Sequence, residues 1–180
     1  ENRKKLISSG RSFIHTTRGH LASGARGEGR LADPGTIVDH VIKRVAMKRG
    51  LAGKRVVVTA GPTREALDPV RYLSNYSSGK MGYALADQAM LQGADVTLIS
   101  AGSSLRPLPG IRLVEAESAA DMYARVEEHI ASCDLLFMAA AVADFTPEVF
   151  SQSKIKKKGA SEALKLKPTR DILAEFGSLS

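Results

Sequence analysis

A single cysteine, Cys133, is all the thiol chemistry that this 180-residue sequence contains. One cysteine can form neither an internal disulfide nor a multi-cysteine metal site, so neither an oxidising compartment nor a structural zinc is implied. Long hydrophobic runs are missing too: no stretch of about eighteen apolar residues is present to span a bilayer. The basic start Glu1-Asn2-Arg3-Lys4-Lys5 is not followed by the uninterrupted apolar segment of a signal peptide. A cytoplasmic location with no membrane partner is the expectation. His15, His20, His40 and His129 are scattered without ligand spacing and are expected at the surface. Two glycine fingerprints are also absent. No G-x-G-x-x-G occurs, and the Gly79-Lys80 pair has Ser74 where a Walker A loop needs its first glycine and Met81 where it needs Ser or Thr.

Acidic residues are scarce in one region only. The formal charge is +7, which raises nucleic acid as a partner. Residues 1–50 hold 11 Lys/Arg against 4 Asp/Glu, however, while residues 51–180 hold 15 of each. The body of the protein is neutral, one dense cluster apart, Lys154-Ile155-Lys156-Lys157-Lys158, and no nucleic-acid partner is expected.

An apolar content of 43% suffices for a core, and the length suits one domain plus an appendage. Residues 1–50 show weak periodicity and a glycine-rich stretch, Gly24 to Arg30, closed by Asp33-Pro34; this composition predicts an irregular or extended tail. A short helical pattern follows in Thr36–Ile42, and Gly50 and Gly53 bracket a linker, placing a boundary near residue 52: a tail with linker over 1–52 and the main domain over 53–180. Lys54–Ala60 reads as a strand buried on both faces, Asp95–Ser100 as a second strand and Asp134–Ala141 as a third, apolar one. Gly82–Gln92 reads as a helix stopped by Gly93. Ser118-Ala119-Ala120-Asp121 matches a capping box opening a helix to about Ala131, with Met122, Val126 and Ile130 one turn apart. Strands alternating with crossover helices predict an α/β layered fold around a mainly parallel sheet.

Open parallel sheets bind ligands outside the carboxyl ends of their strands. Three segments lie there: Gly61–Gly82, Ala101–Leu108, and Ala141 onwards. The first is a connection of about twenty residues, long for a strand-to-helix link, and such loops are usually functional. Its end, Asn75-Tyr76-Ser77-Ser78-Gly79-Lys80-Met81-Gly82, offers hydroxyls, backbone N–H groups and a cation at a helix N-terminus, as an anion cradle requires. The same Gly-x-x-Gly also serves close helix–sheet packing, and spacing does not choose between the two. Ala139-Ala140-Ala141-Val142-Ala143-Asp144-Phe145 puts small side chains and an acid at a strand end; a planar base can approach there, or a helix can pack there with Asp144 as its cap. Lys154–Lys158 reads as an arm over a triphosphate or as a solvated turn, and Thr169-Arg170-Asp171-Ile172 as pocket wall or helix cap.

Taken in order, Ala60-Gly61-Pro62-Thr63-Arg64-Glu65, Asp68-Pro69-Val70-Arg71, Ser74 to Gly82, Ala139 to Phe145 and Lys154-Ile155-Lys156-Lys157 resemble the phosphopantothenoylcysteine synthetase (phosphopantothenate–cysteine ligase) domain of the bacterial bifunctional coenzyme A biosynthesis protein, over residues 54–177. Leu21 to Arg30 with Asp33-Pro34 resemble the C-terminal tail of that protein's flavin-dependent decarboxylase domain. The resemblance implies a Rossmann-like three-layer fold and a ligase of coenzyme A biosynthesis that joins 4′-phosphopantothenate to cysteine through an acyl-cytidylate, using CTP and Mg²⁺. It implies that Asn75 binds the acyl intermediate and that Lys154 helps to form it. Gly61, Ser77, Ser78 and Gly79 would hold phosphates, Met138, Ala139, Ala140, Ala141 and Asp144 the cytidine, and Lys167, Pro168, Thr169, Arg170 and Asp171 would complete the pocket; no metal ligands are assigned. Ser23 stands where the decarboxylase family has a catalytic cysteine, so no decarboxylase activity is expected, and FMN would belong to the decarboxylase portion alone. The family's ligase domain continues beyond residue 177, making independent activity of this stretch doubtful. Family members pair as homodimers through the ligase domain and form larger assemblies at full length. A noncatalytic nucleotide-binding or assembly module of the same fold is the rival expectation, and the missing glycine fingerprint argues against an NAD-type oxidoreductase.

Overall fold

The structure, a computed structural model, describes residues 2–20, 24–46, 49–156 and 163–177. It divides into two units, Glu1–Ala46 and Met47–Ser180. The first is more regular than its composition suggests. Helix α1 (Asn2–Ser8) precedes an antiparallel hairpin of β1 (Thr17–His20) and β2 (Arg26–Arg30), so the glycine-rich stretch expected to be irregular supplies a strand. Helix α2 (Pro34–Ala46) extends the short predicted pattern in both directions. Pro34 suits the first helical turn, where an N–H would have no partner.

In the second unit the apolar run after Lys54 becomes β3 (Arg55–Ala60), the centre of a four-stranded parallel sheet. Two short antiparallel strands follow, β4 (Arg64–Ala66) and β5 (Tyr72–Ser74); the connection expected as one long loop is therefore partly a hairpin. Then come α3 (Lys80–Leu91), β6 (Asp95–Ala101), β7 (Arg112–Ala116), α4 (Ala119–Ile130) and β8 (Leu135–Met138). The sheet order is β7-β6-β3-β8. A last antiparallel pair, β9 (Phe145–Pro147) with β10 (Leu166–Pro168), leads to α5 (Ile172–Phe176).

The layers follow from strand alternation. Val56, Val58 and Ala60 point with Val96 and Leu98 to one face, where α3 covers them with Tyr83, Ala86, Ala89 and Met90. Val57, Ile99 and Ala101 point to the other face, against Met122, Tyr123 and Val126 of α4 and Ile172 of α5. Each fully buried large side chain, Leu98 and Ile99 among them, contributes about 1.5–3 kcal/mol by leaving water. The predicted capping box forms: Ser118 Oγ accepts from the Asp121 N–H at 3.1 Å, and the Asp121 carboxylate accepts from the Ser118 N–H at 2.9 Å. Among the described residues no helix is long and apolar enough to cross a membrane.

Candidate functional site

The central strand ends in a bend that only glycine allows. Gly61 has φ of +80°, and a Cβ there would collide with the carbonyl oxygen of Ala101. Gly79 caps α3 with φ of +76° and lies against Gly61, whose Cα would be 3.2 Å from an added Cβ. Both readings of the Gly-x-x-Gly then apply at different positions. Gly82 is the packing glycine, since an added Cβ would sit 2.5 Å from that of Ala60 on β3. Gly79 belongs to the strand-end turn. The hydroxyls of Ser77 and Ser78 accept from the N–H groups of Gly79 (3.3 Å) and Lys80 (3.5 Å), and Ser103 Oγ, from the loop after β6, donates to the Ser78 carbonyl at 3.1 Å.

At the neighbouring strand end the ladder is rerouted. Strand β8 stops at Met138 rather than at the expected Ala141, because the Ala139 and Ala140 N–H groups both donate to Thr59 Oγ1 at 3.1 Å. The Ala141 N–H returns to the Gly61 carbonyl at 2.9 Å, and the Ala143 N–H donates to the fully buried Thr63 hydroxyl at 2.9 Å. Thr169 closes the far side, its hydroxyl donating to the Ala143 carbonyl at 2.6 Å and its N–H to the Asp144 carbonyl at 2.9 Å. The result is a cavity of about 310 Å³ lined by Met138, Ala140 to Asp144 and Thr169 to Leu173. Asp144 lines it and caps no helix, for the next element is β9. Asp171 does both jobs: it lines the cavity and caps α5 by accepting from the Ala174 N–H at 2.9 Å.

Asn75, from the other side, joins this edge. Its Nδ2 donates to the carbonyls of Ala141 (3.2 Å) and Val142 (3.3 Å), fixing the amide orientation at the rim of the alanine segment. Lys167 and Pro168 do not reach this cavity. They line a neighbouring one of about 610 Å³ with Glu65, Tyr123 and Phe150, and Thr169 and Arg170 are shared by the two. Ser103, Ser104, Arg64, Arg106 and Arg125 line a third, of about 580 Å³, at the ends of β6 and β7.

Lys154 is exposed and lines none of these three cavities. Its chain neighbour is fixed. The Ile155 N–H donates to Asp68 Oδ2 at 3.1 Å, while Arg71 Nη2 donates to the Ile155 carbonyl at 2.9 Å and to Asp68 Oδ2 at 2.5 Å. The Arg71 guanidinium holds the buried Asp68 carboxyl well below its ordinary range; burial acts the other way, and the N–H groups of Val70, Ile155 and Arg71 reinforce the lowering. Lys157 and Lys158, like Ser23, lie outside the described residues.

Several of these supports had a signal in the sequence that local patterning does not use. A threonine inside a run of valines, Thr59, and another just past it, Thr63, must find partners once buried. Asp-Pro-Val-Arg begins with a residue prone to accept from the N–H two positions on, and the Val70 N–H donates to Asp68 Oδ1 at 2.8 Å. Glu65 is also buried, accepting from the Ala119 N–H at 2.8 Å. Among the described residues no group of three His, Cys, Asp or Glu side chains is placed to hold a metal ion.

A parallel sheet layered between helices, with its glycine turn and small-residue cleft on the carboxyl side, defines a Rossmann-like α/β protein. The chain belongs to the family of the DNA/pantothenate metabolism flavoprotein C-terminal domain, whose sequence model matches residues 51–180. It is 46% identical over 175 residues to the coenzyme A biosynthesis bifunctional protein CoaBC of Bacillus subtilis, covering 96% of this chain and 43% of that protein. It is also 46% identical over 179 residues to a cysteine/cysteine sulfinic acid decarboxylase of an unknown prokaryote, covering 97% of this chain and 50% of that one. The chain thus spans about half the length of the curated relatives it matches. Among solved structures, the C-terminal domain of a CoaBC protein superposes with a TM-score of 0.64 at 41% identity, covering 73% of this chain and 62% of the other.

Proposed function

We propose that this chain carries the nucleotide-binding part of a phosphopantothenate–cysteine ligase acting in coenzyme A biosynthesis. The observation that carries the reading is the Asn75 amide held on the Ala141 and Val142 carbonyls, at the rim of the cleft lined by Met138, Ala140 to Asp144 and Thr169 to Asp171; Ala139, whose N–H is bound to Thr59, does not line it. Small side chains there would let a planar base lie against the backbone, and Asp144, which lines the cleft, would meet a ribose hydroxyl. CTP is the nucleotide the family resemblance favours. Ser77, Ser78, Gly79 and Gly61 would face the phosphates at the start of α3, where the helix dipole favours negative charge.

In the reaction so proposed, a carboxylate oxygen of 4′-phosphopantothenate attacks the α-phosphorus of CTP, the bond to the bridging oxygen breaks, and pyrophosphate leaves. The cysteine amine then attacks the acyl carbon, loses a proton, and expels CMP. This chemistry depends on positioning and charge neutralisation. Lys154 supplies positive charge to the first step. Asn75 holds the mixed anhydride through an uncharged amide that does not itself attack it. Mg²⁺ would accompany the triphosphate and neutralise phosphate charge. The decarboxylase name of one relative is not carried to this chain; the family resemblance concerns the flavin-dependent phosphopantothenoylcysteine decarboxylase domain, and Ser23 stands where that domain has its catalytic cysteine.

The test is made on the full-length polypeptide. Pyrophosphate release should require both phosphopantothenate and CTP with Mg²⁺, and CMP release should require cysteine. Absence of pyrophosphate under those conditions would overturn the ligase reading and favour a nucleotide-binding module without catalysis.

A further inference from the structure

The segment that carries Lys154 is anchored at Ile155. Asp68 Oδ2 receives the Ile155 N–H, and Arg71 Nη2 gives a proton to the Ile155 carbonyl, so one ion pair engages both backbone groups of the residue next to Lys154. A third bond, from the Ser151 N–H to the Leu67 carbonyl at 3.0 Å, fixes the start of the same segment. The Asp68 side chain is wholly buried, and its other oxygen accepts from the Val70 and Arg71 N–H groups at 2.8 and 2.9 Å. Its acceptor sites are therefore spent on shaping two segments more than eighty positions apart, and none faces a ligand.

Arg71 leads directly into β5, and β5 into Asn75, but the Asn75 amide has its own hold on the Ala141 and Val142 carbonyls; breaking the clamp releases the Lys154 arm and leaves that hold in place. Resting on the ligase reading above, we propose that Asp68, together with Arg71, is the positioning residue for the Lys154 arm: it acts in the activation step through Lys154 and touches no substrate. An arm fixed at Ile155 presents the Lys154 ammonium from a defined backbone, whereas a free arm must be ordered at each turnover.

Asp68→Asn is the informative change because it keeps the size of the side chain. Whichever way the new amide turns, its NH₂ faces N–H donors, either those of Val70 and Arg71 or those of Ile155 and the Arg71 side chain. The expected results in the full-length protein are about tenfold or greater loss of the pyrophosphate-forming rate, a similar acceleration of hydrogen exchange at the Ile155 amide, and cysteine transfer from preformed acyl-cytidylate within about twofold of wild type. In a Lys154→Gln background, Asp68→Asn should cost nothing further, as expected of two residues acting as one unit. Arg71→Lys, which keeps the charge and loses the fork, should repeat the pattern more weakly, and a melting curve for each variant checks the fold. Independent, multiplying losses from Asp68→Asn and Lys154→Gln would overturn the proposal, as would equal damage to both half-reactions or unchanged exchange at Ile155. A wild-type protein that forms no pyrophosphate would overturn the ligase reading, and this role with it; unchanged exchange would remove the clamp alone.

Discussion

The two residues assigned to chemistry are held in opposite ways. Asn75 is tied by its own functional group, its Nδ2 donating to the Ala141 and Val142 carbonyls. Among the described residues no hydrogen bond or ion pair engages the Lys154 ammonium, and the backbone beside it is tied down through Asp68 and Arg71. The difference matches the demands placed on each. On the proposed reading, an amide that must meet the acyl group of the acyl-cytidylate at a fixed angle gains from an oriented side chain, whereas a cation meeting a polyphosphate needs reach more than orientation.

The largest effect expected is for Asn75→Asp, which sharpens the contrast at the oriented end. A carboxylate there loses both donors and faces two carbonyl oxygens, so cysteine-dependent CMP release should fall by about 10²–10³-fold while pyrophosphate continues to form and acyl-cytidylate accumulates. Rapid-quench analysis of the two products reads this directly; wild-type turnover would remove Asn75 from the mechanism. Lys154→Gln should act at the other half-reaction, lowering pyrophosphate release by about tenfold to a hundredfold. Since Lys154 is exposed, its melting temperature should not move, and undiminished pyrophosphate release would make the cluster a solvated turn.

Thr63→Val probes what the oriented end rests on. Removing the hydroxyl strands the Ala143 N–H in a buried site, at a cost of about 1–3 kcal/mol, visible in denaturant unfolding and accompanied by weaker nucleotide binding. Acid should give the smallest and most general effect. Asp68 is lowered first by Arg71, Asp121 by the Ser118 N–H, and Asp134 by the Arg55 N–H, all from an ordinary value of 3.8. A carboxyl whose folded pKa is depressed contributes stability above its unfolded pKa and loses it as pH falls through the folded one. Melting temperature should therefore hold from neutral pH down to about 5 and decline below about 4. Asp68→Asn should flatten the lower part of that decline, and an unaltered acid profile would show that the clamp does not contribute.

Much of the scaffold was legible because it is periodic. The valine run of β3, the apolar spacing of α4 and the Ser118–Asp121 box are local signals that local physics honours. Edge strand β7 and the three-residue pairs β4–β5 and β9–β10 were not foreseen, since strands so short are stabilised by the partners they meet rather than by their own pattern. The site shows the same division. The motif segments could be placed at strand ends, but the Asn75 bonds to residues 141 and 142 span more than sixty positions, and the Asp68–Ile155 bond spans 87. Nothing in a window of ten residues announces such a contact. A buried carboxylate beside a proline was the only hint of the clamp.

The position of the nucleotide decides between ligase site and bare scaffold. A crystal structure of the full-length protein with CTP and Mg²⁺ should place the base against Ala140 to Asp144 and the triphosphate between the start of α3 and the Lys154 arm. A nucleotide seated instead among Ser103, Ser104 and Arg106, in the cavity at the ends of β6 and β7, would contradict it.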